Sequence, residues 1–153
     1  IYGPWAGILI IFIRFVVKLP GTSTVGVGEL ADLILGVILV TISGLIYKKH
    51  RTLKGAFFGS LIGVGAATVA ACFTNWLILI PAYVKIAGFP LPALVGVMSY
   101  IKFHGVSVVT QDNFMLYYIF VGVIPFNLFR YSLVLALTFI LYKRISWLFN
   151  KIG

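Results

Sequence analysis

The sequence predicts an all-α integral membrane protein, a helical bundle with four transmembrane helices in this chain. Three observations carry that expectation. Of 153 residues, 61% are hydrophobic and only 10% are charged, whereas a soluble domain holds about 45–50% apolar and about 25% charged residues. The apolar residues are gathered into long runs, and about twenty such residues cross a bilayer as a helix. The basic residues stand in short clusters between those runs, the pattern that sets membrane topology. The net charge of +9 therefore does not point to nucleic acid. No basic stripe with interleaved aromatic readers is present, so the partner implied by composition is the lipid bilayer.

The first span is Gly3–Lys18, GPWAGILIIFIRFVVK, opened by a proline that suits a first helical turn. The stretch LPGTSTVG then reads as a turn. The second span, Gly28–Tyr47, has Glu29 and Asp32 near its start, where the helix dipole favours carboxylates. Asp32 lies a turn deep, placed to pair with Arg14 or Lys18. The third span, Ala56–Tyr83, is long enough to cross at a tilt. At its opening Gly55, Gly59 and Gly63 recur at every fourth position. Small residues so spaced let helix backbones approach closely; packing inside the chain is the plainer reading of Gly55, Gly59 and Gly63, and packing against a partner subunit is the functional one. Residues 84–112 form a long connection. Its stretch LPALVGVMSYI is too short to span and is expected to be re-entrant or interfacial. The fourth span covers 113–147.

Charge orients the bundle. Lys48, Lys49, Arg51, Lys54, Lys143, Arg144 and Lys151 fall on one side, against Lys18, Lys85 and Lys102 on the other. The excess of positive residues marks the cytoplasmic face. Loop 48–55 and both chain ends are therefore expected in the cytoplasm, and loops 19–27 and 84–112 outside. Position 1 is Ile, followed at once by a hydrophobic helix, so helices upstream of this segment are expected to be missing.

The chemistry lies in two polar interruptions. In the fourth span, PFNLFR sets Pro125, Asn127 and Arg130 among apolar residues. An arginine at the centre of a span costs about 2.5–3.5 kcal/mol on insertion scales, which is tolerated where it meets a wet cavity or a partner. Asn127, three residues earlier, shares its helix face. Pro125 frees a backbone carbonyl, which is stable at depth only where protein or water satisfies it. In the third span Thr68, Cys72, Asn75, Leu79 and Tyr83 share a face at helical spacing. Asn75 offers two donors and an acceptor. Trp76 and Tyr83 are candidate stacking surfaces, an interfacial aromatic belt being the alternative. Nothing resembles a catalytic centre. His50 and His104 have no metal-ligand partners in the sequence, Ser107 lacks a nucleophile turn, and there is no GxxxxGK[ST]. Asp32 and Asp112 lack a catalytic partner, and TVGVG at Thr24–Gly28 lies in a turn rather than after a pore helix. No cofactor is expected. Cys72, inside an apolar run, reads as a packing residue.

The order GPWAG, GELADLILG, YKKHRTLKGA, NWLILIPAY, IPFNLFR and LYKRIS resembles the S-components of energy-coupling factor (ECF) vitamin importers, in particular the riboflavin-binding branch, from Gly3 to Trp147. The resemblance implies a six-helix bundle of which this chain supplies helices three to six. It implies capture of a vitamin from outside and, as partners, a transmembrane coupling subunit and two cytoplasmic ABC ATPases. By position, Asn75, Asn127 and Arg130 match polar residues that contact the vitamin. That branch usually has Lys where Arg130 stands. Arg presents a planar fork suited to a carboxylate, so an anionic vitamin such as pantothenate stays open, as do hydroxymethylpyrimidine and pyridoxine-like rings. A structural or assembly subunit is the alternative of another class.

Overall fold

Prolines and glycines punctuate a chain that is otherwise helical. The computed structural model describes residues 3–22, 26–86, 88, 90–102 and 105–141 with their side chains, and the backbone of 103 and 142–152. Among these residues four helices are long and apolar enough to cross a membrane. Helix α1 is Gly3–Lys18, ending in a 3-10 turn at Leu19–Gly21. Helix α2 is Val27–Lys49. Helix α3 runs as Leu53–Thr74, a π-turn at Asn75–Leu79, and Ile80–Lys85. A short helix α4, Leu91–Val97, precedes an antiparallel hairpin of β1 (Lys102–Phe103) and β2 (Val106–Ser107). Helix α5 runs as Phe114–Tyr117, a π-turn at Tyr118–Val123, and Ile124–Ile152. Among the described residues, the connection after α3 contains no helix long enough to be a further span. Its apolar residues cap the end of the bundle through a cluster of Ile80, Met98, Val109 and Phe114. His104 and residues 23–25, which include part of TVGVG, lie outside the described residues.

Local chemistry explains the starts of α2 and α3. Gly26 takes a left-handed conformation, φ +82°, and its N–H donates to the Thr22 hydroxyl at 3.1 Å. That hydroxyl in turn donates to a Glu29 carboxylate oxygen at 2.7 Å, tying the turn to the first turn of α2. Thr52 caps α3 by accepting the Gly55 N–H at 3.0 Å, which satisfies one of the helix's unpaired first donors.

Both π-turns end at an Ile–Pro step. Pro81 and Pro125 have no N–H, and a proline ring crowds the carbonyl four residues before it. Widening the preceding turn by one residue relieves that crowding. The ladder shifts accordingly, with Ile80 N–H donating to the Asn75 carbonyl and Ile124 N–H to the Ile119 carbonyl. The same defect is therefore built into two helices by the same dipeptide.

Helix α2 packs between α1 and α3, and α5 also packs on α3. The core is made of small and medium side chains: Leu35, Val64, Ala67, Ala71, Val123 and Tyr131. Gly59 and Gly63 are buried, and a Cβ on Gly59 would come within 3.1 Å of Ile46 Cγ2 and the Ser43 carbonyl oxygen. A Cβ on Gly63 would overlap Ser43 Oγ and stand 3.0 Å from the Leu39 carbonyl oxygen. Gly55 folds against the His50 carbonyl in the α2–α3 turn. At Gly59 and Gly63 the face is filled by α2 of the same chain, the plainer of the two readings of this glycine spacing, and Gly55 lies against the turn between the helices. The periodicity identified a close helix approach, and a short connection makes the next helix in sequence the nearest occupant. Large apolar side chains such as Phe58, Leu77 and Phe129 point outward, as suits a surface solvated by acyl chains.

Candidate functional site

Helices α2 and α5 flank α3, and between the three lies a cavity of about 410 Å³. Its lining includes Ala31, Asp32 and Leu35 from α2, Asn75 and Leu79 from α3, and Tyr118, Val123, Phe126, Asn127 and Arg130 from α5. Ligand pockets commonly measure about 300–1,000 Å³, with mostly apolar walls and a few placed polar groups. This cavity has that composition. Three of the sequence-predicted residues, Asn75, Asn127 and Arg130, meet in it.

The π-turns place two of the polar groups. Asn75 opens the π-turn of α3 and Tyr118 opens that of α5, and the Tyr118 hydroxyl donates to Asn75 Oδ1 at 2.9 Å. The Asn75 amide donates to the Ala71 carbonyl at 2.8 Å, so this side chain is fixed at both ends. Asn127 is 5% exposed and donates one amide hydrogen to the Val123 carbonyl at 2.8 Å. Its other amide hydrogen and its carbonyl oxygen have no partner among the described residues and border the cavity. Bonds of this kind, from an amide to the carbonyl one turn back, support a helix whose own ladder has been displaced. The Tyr118 ring also stacks on Phe114, centroids 5.5 Å apart. Removing one hydroxyl tests the arrangement. Tyr118→Phe is expected to lower stability by about 1 kcal/mol, the net worth of a typical hydrogen bond, and to weaken ligand binding by a few fold, read by thermal unfolding and by titration.

The electrostatic centre is Asp32. Arg130 donates from Nη1 to Asp32 Oδ1 at 2.7 Å, while Arg14 and Lys18 of α1 stand 3.6 Å from Oδ2. Arg130 and Asp32 are both largely shielded, at 29% and 25% side-chain exposure, but Arg14 and Lys18 are half exposed at 57% and 47%. The outer pair therefore contributes little, as exposed ion pairs do, and the close pair is the one that organises the cavity. Side chains on a helix lean toward its N-terminus, which aims Arg130 of α5 toward the end of the bundle where α2 begins. The guanidinium also lies over the Tyr131 ring at 5.5 Å.

Two expectations about the wall are corrected. Trp76 is 54% exposed on the outer surface and does not line the cavity; one helical step turns it about 100° from Asn75. Tyr83 is half-buried but outside the lining, because the extra residue of the π-turn rotates everything after Leu79 out of the phase that simple helical spacing assumes. The aromatic surfaces of the cavity are instead Tyr118 and Phe126. Sequence reasoning passed over both, and it paired Asp32 with α1 alone. The signal for Tyr118 was its distance of seven residues before Pro125, the mirror of Asn75 six residues before Pro81.

Comparison with known proteins identifies a family. The family model described as ECF transporter, substrate-specific component matches residues 1–142. The riboflavin transporter FmnP of Bacillus subtilis (strain 168) is 33% identical over 86 residues, 54% of this chain and 45% of that protein. The riboflavin transporter RibU of Streptococcus thermophilus is 30% identical over 104 residues, 67% of this chain and 40% of that protein. RibU of Staphylococcus aureus (strain TCH60) is 25% identical over 152 residues, 99% of this chain and 70% of that protein. The matches to the first two span less than half of those relatives' length. No solved structure matches the chain.

Proposed function

We propose that this chain, which belongs to the substrate-specific components of ECF transporters, captures a riboflavin-like vitamin in the cavity between α2, α3 and α5. It is a transport component rather than an enzyme. The observation that carries the proposal is the convergence of Asn75, Asn127 and Arg130 on one cavity of about 410 Å³ at membrane depth. Amide groups and a guanidinium aimed into an apolar hollow suit a flat ring with carbonyl and ring-nitrogen edges, with Tyr118 and Phe126 available to its faces. The relatives are named as riboflavin transporters, which favours that ring among the alternatives.

In this reading Asn127 and Arg130 contact the vitamin directly and Asn75 shapes the wall through Tyr118. The cavity is lined by the first half of α2, at the end of the bundle taken as the exterior on the strength of the basic α2–α3 turn, whose Lys48, Lys49, Arg51 and Lys54 mark the cytoplasmic face. The chain supplies selection, and a transmembrane coupling subunit with two ABC ATPases supplies the energy for release inward. The assembly-subunit alternative loses its main support, since the glycine face is occupied by α2. The test is mass spectrometry of the small molecule released when the protein, expressed from its complete gene and purified from membranes, is denatured. Riboflavin in near-stoichiometric amount is the expected result. A protein that releases nothing and binds no member of a vitamin panel overturns the reading.

A further inference from the structure

We propose that Asp32 is a specificity-determining residue, which tunes the cavity toward neutral ligands by holding one edge of the Arg130 guanidinium. The inference rests on the cavity being a vitamin site, and it goes beyond it by naming the charge class selected and the residue that selects it.

The geometry is direct. Of the residues lining the cavity, the formally charged ones are Asp32 and Arg130, joined at 2.7 Å. Their charges cancel inside the hollow. Arg14 and Lys18 approach the far carboxylate oxygen from α1 at 3.6 Å and lie outside the lining, so the charges that face the hollow are those of the Asp32–Arg130 pair. An arginine alone at this depth would be an anion receptor, because its fork matches a carboxylate or phosphate with two parallel bonds. Here one nitrogen of that fork, Nη1, is already committed to a carboxylate. The N–H groups left over can donate to a neutral carbonyl or ring nitrogen, whereas a bound anion would have to face the Asp32 carboxylate at close range in a weakly polar hollow. A neutral ring vitamin is therefore preferred over pantothenate and over any phosphorylated form, which narrows the choice that Arg130 alone left open.

Asp32 also ties two helices that both pack on α3. It extends from the second turn of α2 to Arg130 on α5. The selecting pair is thus a bridge between two walls of the cavity.

The test uses riboflavin and riboflavin 5′-phosphate, which share one ring system and differ by a dianionic group. Binding is followed by quenching of the flavin fluorescence, with the protein expressed from its complete gene. The unaltered protein is expected to prefer riboflavin by at least about tenfold, and its riboflavin affinity should hardly change with salt, since the lining has no net charge. Asp32→Asn should shrink that preference by about tenfold or more, through tighter binding of the phosphate, because Arg130 is released to act as an anion receptor. Asp32→Glu, which keeps the charge, should restore the preference. A preference for the phosphate in the unaltered protein, measurable without any variant, overturns the inference. So does a ratio unmoved in folded Asp32→Asn, while riboflavin binding in either case leaves the vitamin-site reading intact. If the unaltered protein binds neither flavin, both readings fail together.

Discussion

Arg130→Leu is expected to reduce riboflavin affinity by about two orders of magnitude or more, since a hydrogen bond from a charged group is worth about 1.5–3 kcal/mol and the loss leaves a carboxylate facing the ligand. Leucine retains an apolar stem but no donor. Asp32 then keeps only Arg14 and Lys18, both at 3.6 Å and half exposed. Breaking a fully buried pair costs about 3–5 kcal/mol. With both side chains about a quarter exposed, a loss of about 1–2 kcal/mol in unfolding free energy is the more fitting expectation. Arg130→Lys keeps the charge and loses the fork, and should bind riboflavin within about tenfold of the unaltered protein while melting earlier. The double variant Asp32→Asn with Arg130→Leu separates the two effects. Stability should recover, because no uncompensated charge remains, and affinity should not. Flavin fluorescence titration and thermal unfolding in detergent read the two quantities. An affinity unchanged in Arg130→Leu would remove Arg130 from the site.

The spans were legible because their cause is one-dimensional. A run of apolar residues of bilayer length needs no tertiary information, and basic residues between runs mark the breaks. The polar members of the site were legible for a related reason. Asn127 and Arg130 are costly in hydrocarbon wherever the helix turns them, so their presence alone implied a hollow or a partner, and the structure supplies both. What was not legible depends on phase. Assigning Trp76 and Tyr83 to the wall assumed an unbroken helix from Thr68 onward, and the π-turn at Asn75–Leu79 invalidates that assumption for Tyr83. Pro125 was read as loosening the backbone, yet the same reasoning applied to Pro81 would have placed a second loosened turn opposite the first. Asp32 was assigned to Arg14 and Lys18 because they are near in sequence, while its closest partner lies 98 residues away. Pairing across that distance is a property of the packed bundle.

The packing that brings Asp32 to Arg130 rests on a few missing side chains, which makes Gly63 a sensitive structural position. Gly63→Leu is expected to destabilise the chain by more than about 3 kcal/mol, beyond the usual range for overpacking, because the obstacle includes backbone. A Cβ there meets Ser43 Oγ, which can rotate, and the Leu39 carbonyl oxygen, which can retreat only with α2 itself. Gly63→Ala isolates the smaller conflict and should cost about 1–3 kcal/mol. Ser43 Oγ is buried without a hydrogen-bond partner, so Ser43→Ala alone should be close to neutral. Combined with Gly63→Ala it should return about 1 kcal/mol or more, a coupling that a double-mutant cycle measures directly. Because α2 carries Ala31, Asp32 and Leu35 into the cavity wall, any displacement of α2 also separates Asp32 from Arg130. Riboflavin affinity should therefore fall in step with melting temperature across the Gly63 series. A face reserved for a partner subunit behaves differently: Gly63→Leu would then leave the isolated chain's melting and flavin binding unchanged and abolish only its assembly with the coupling subunit. The close approach of Gly63 to Ser43 and Leu39 favours the first outcome, because the space a partner helix would need is already filled from within the chain.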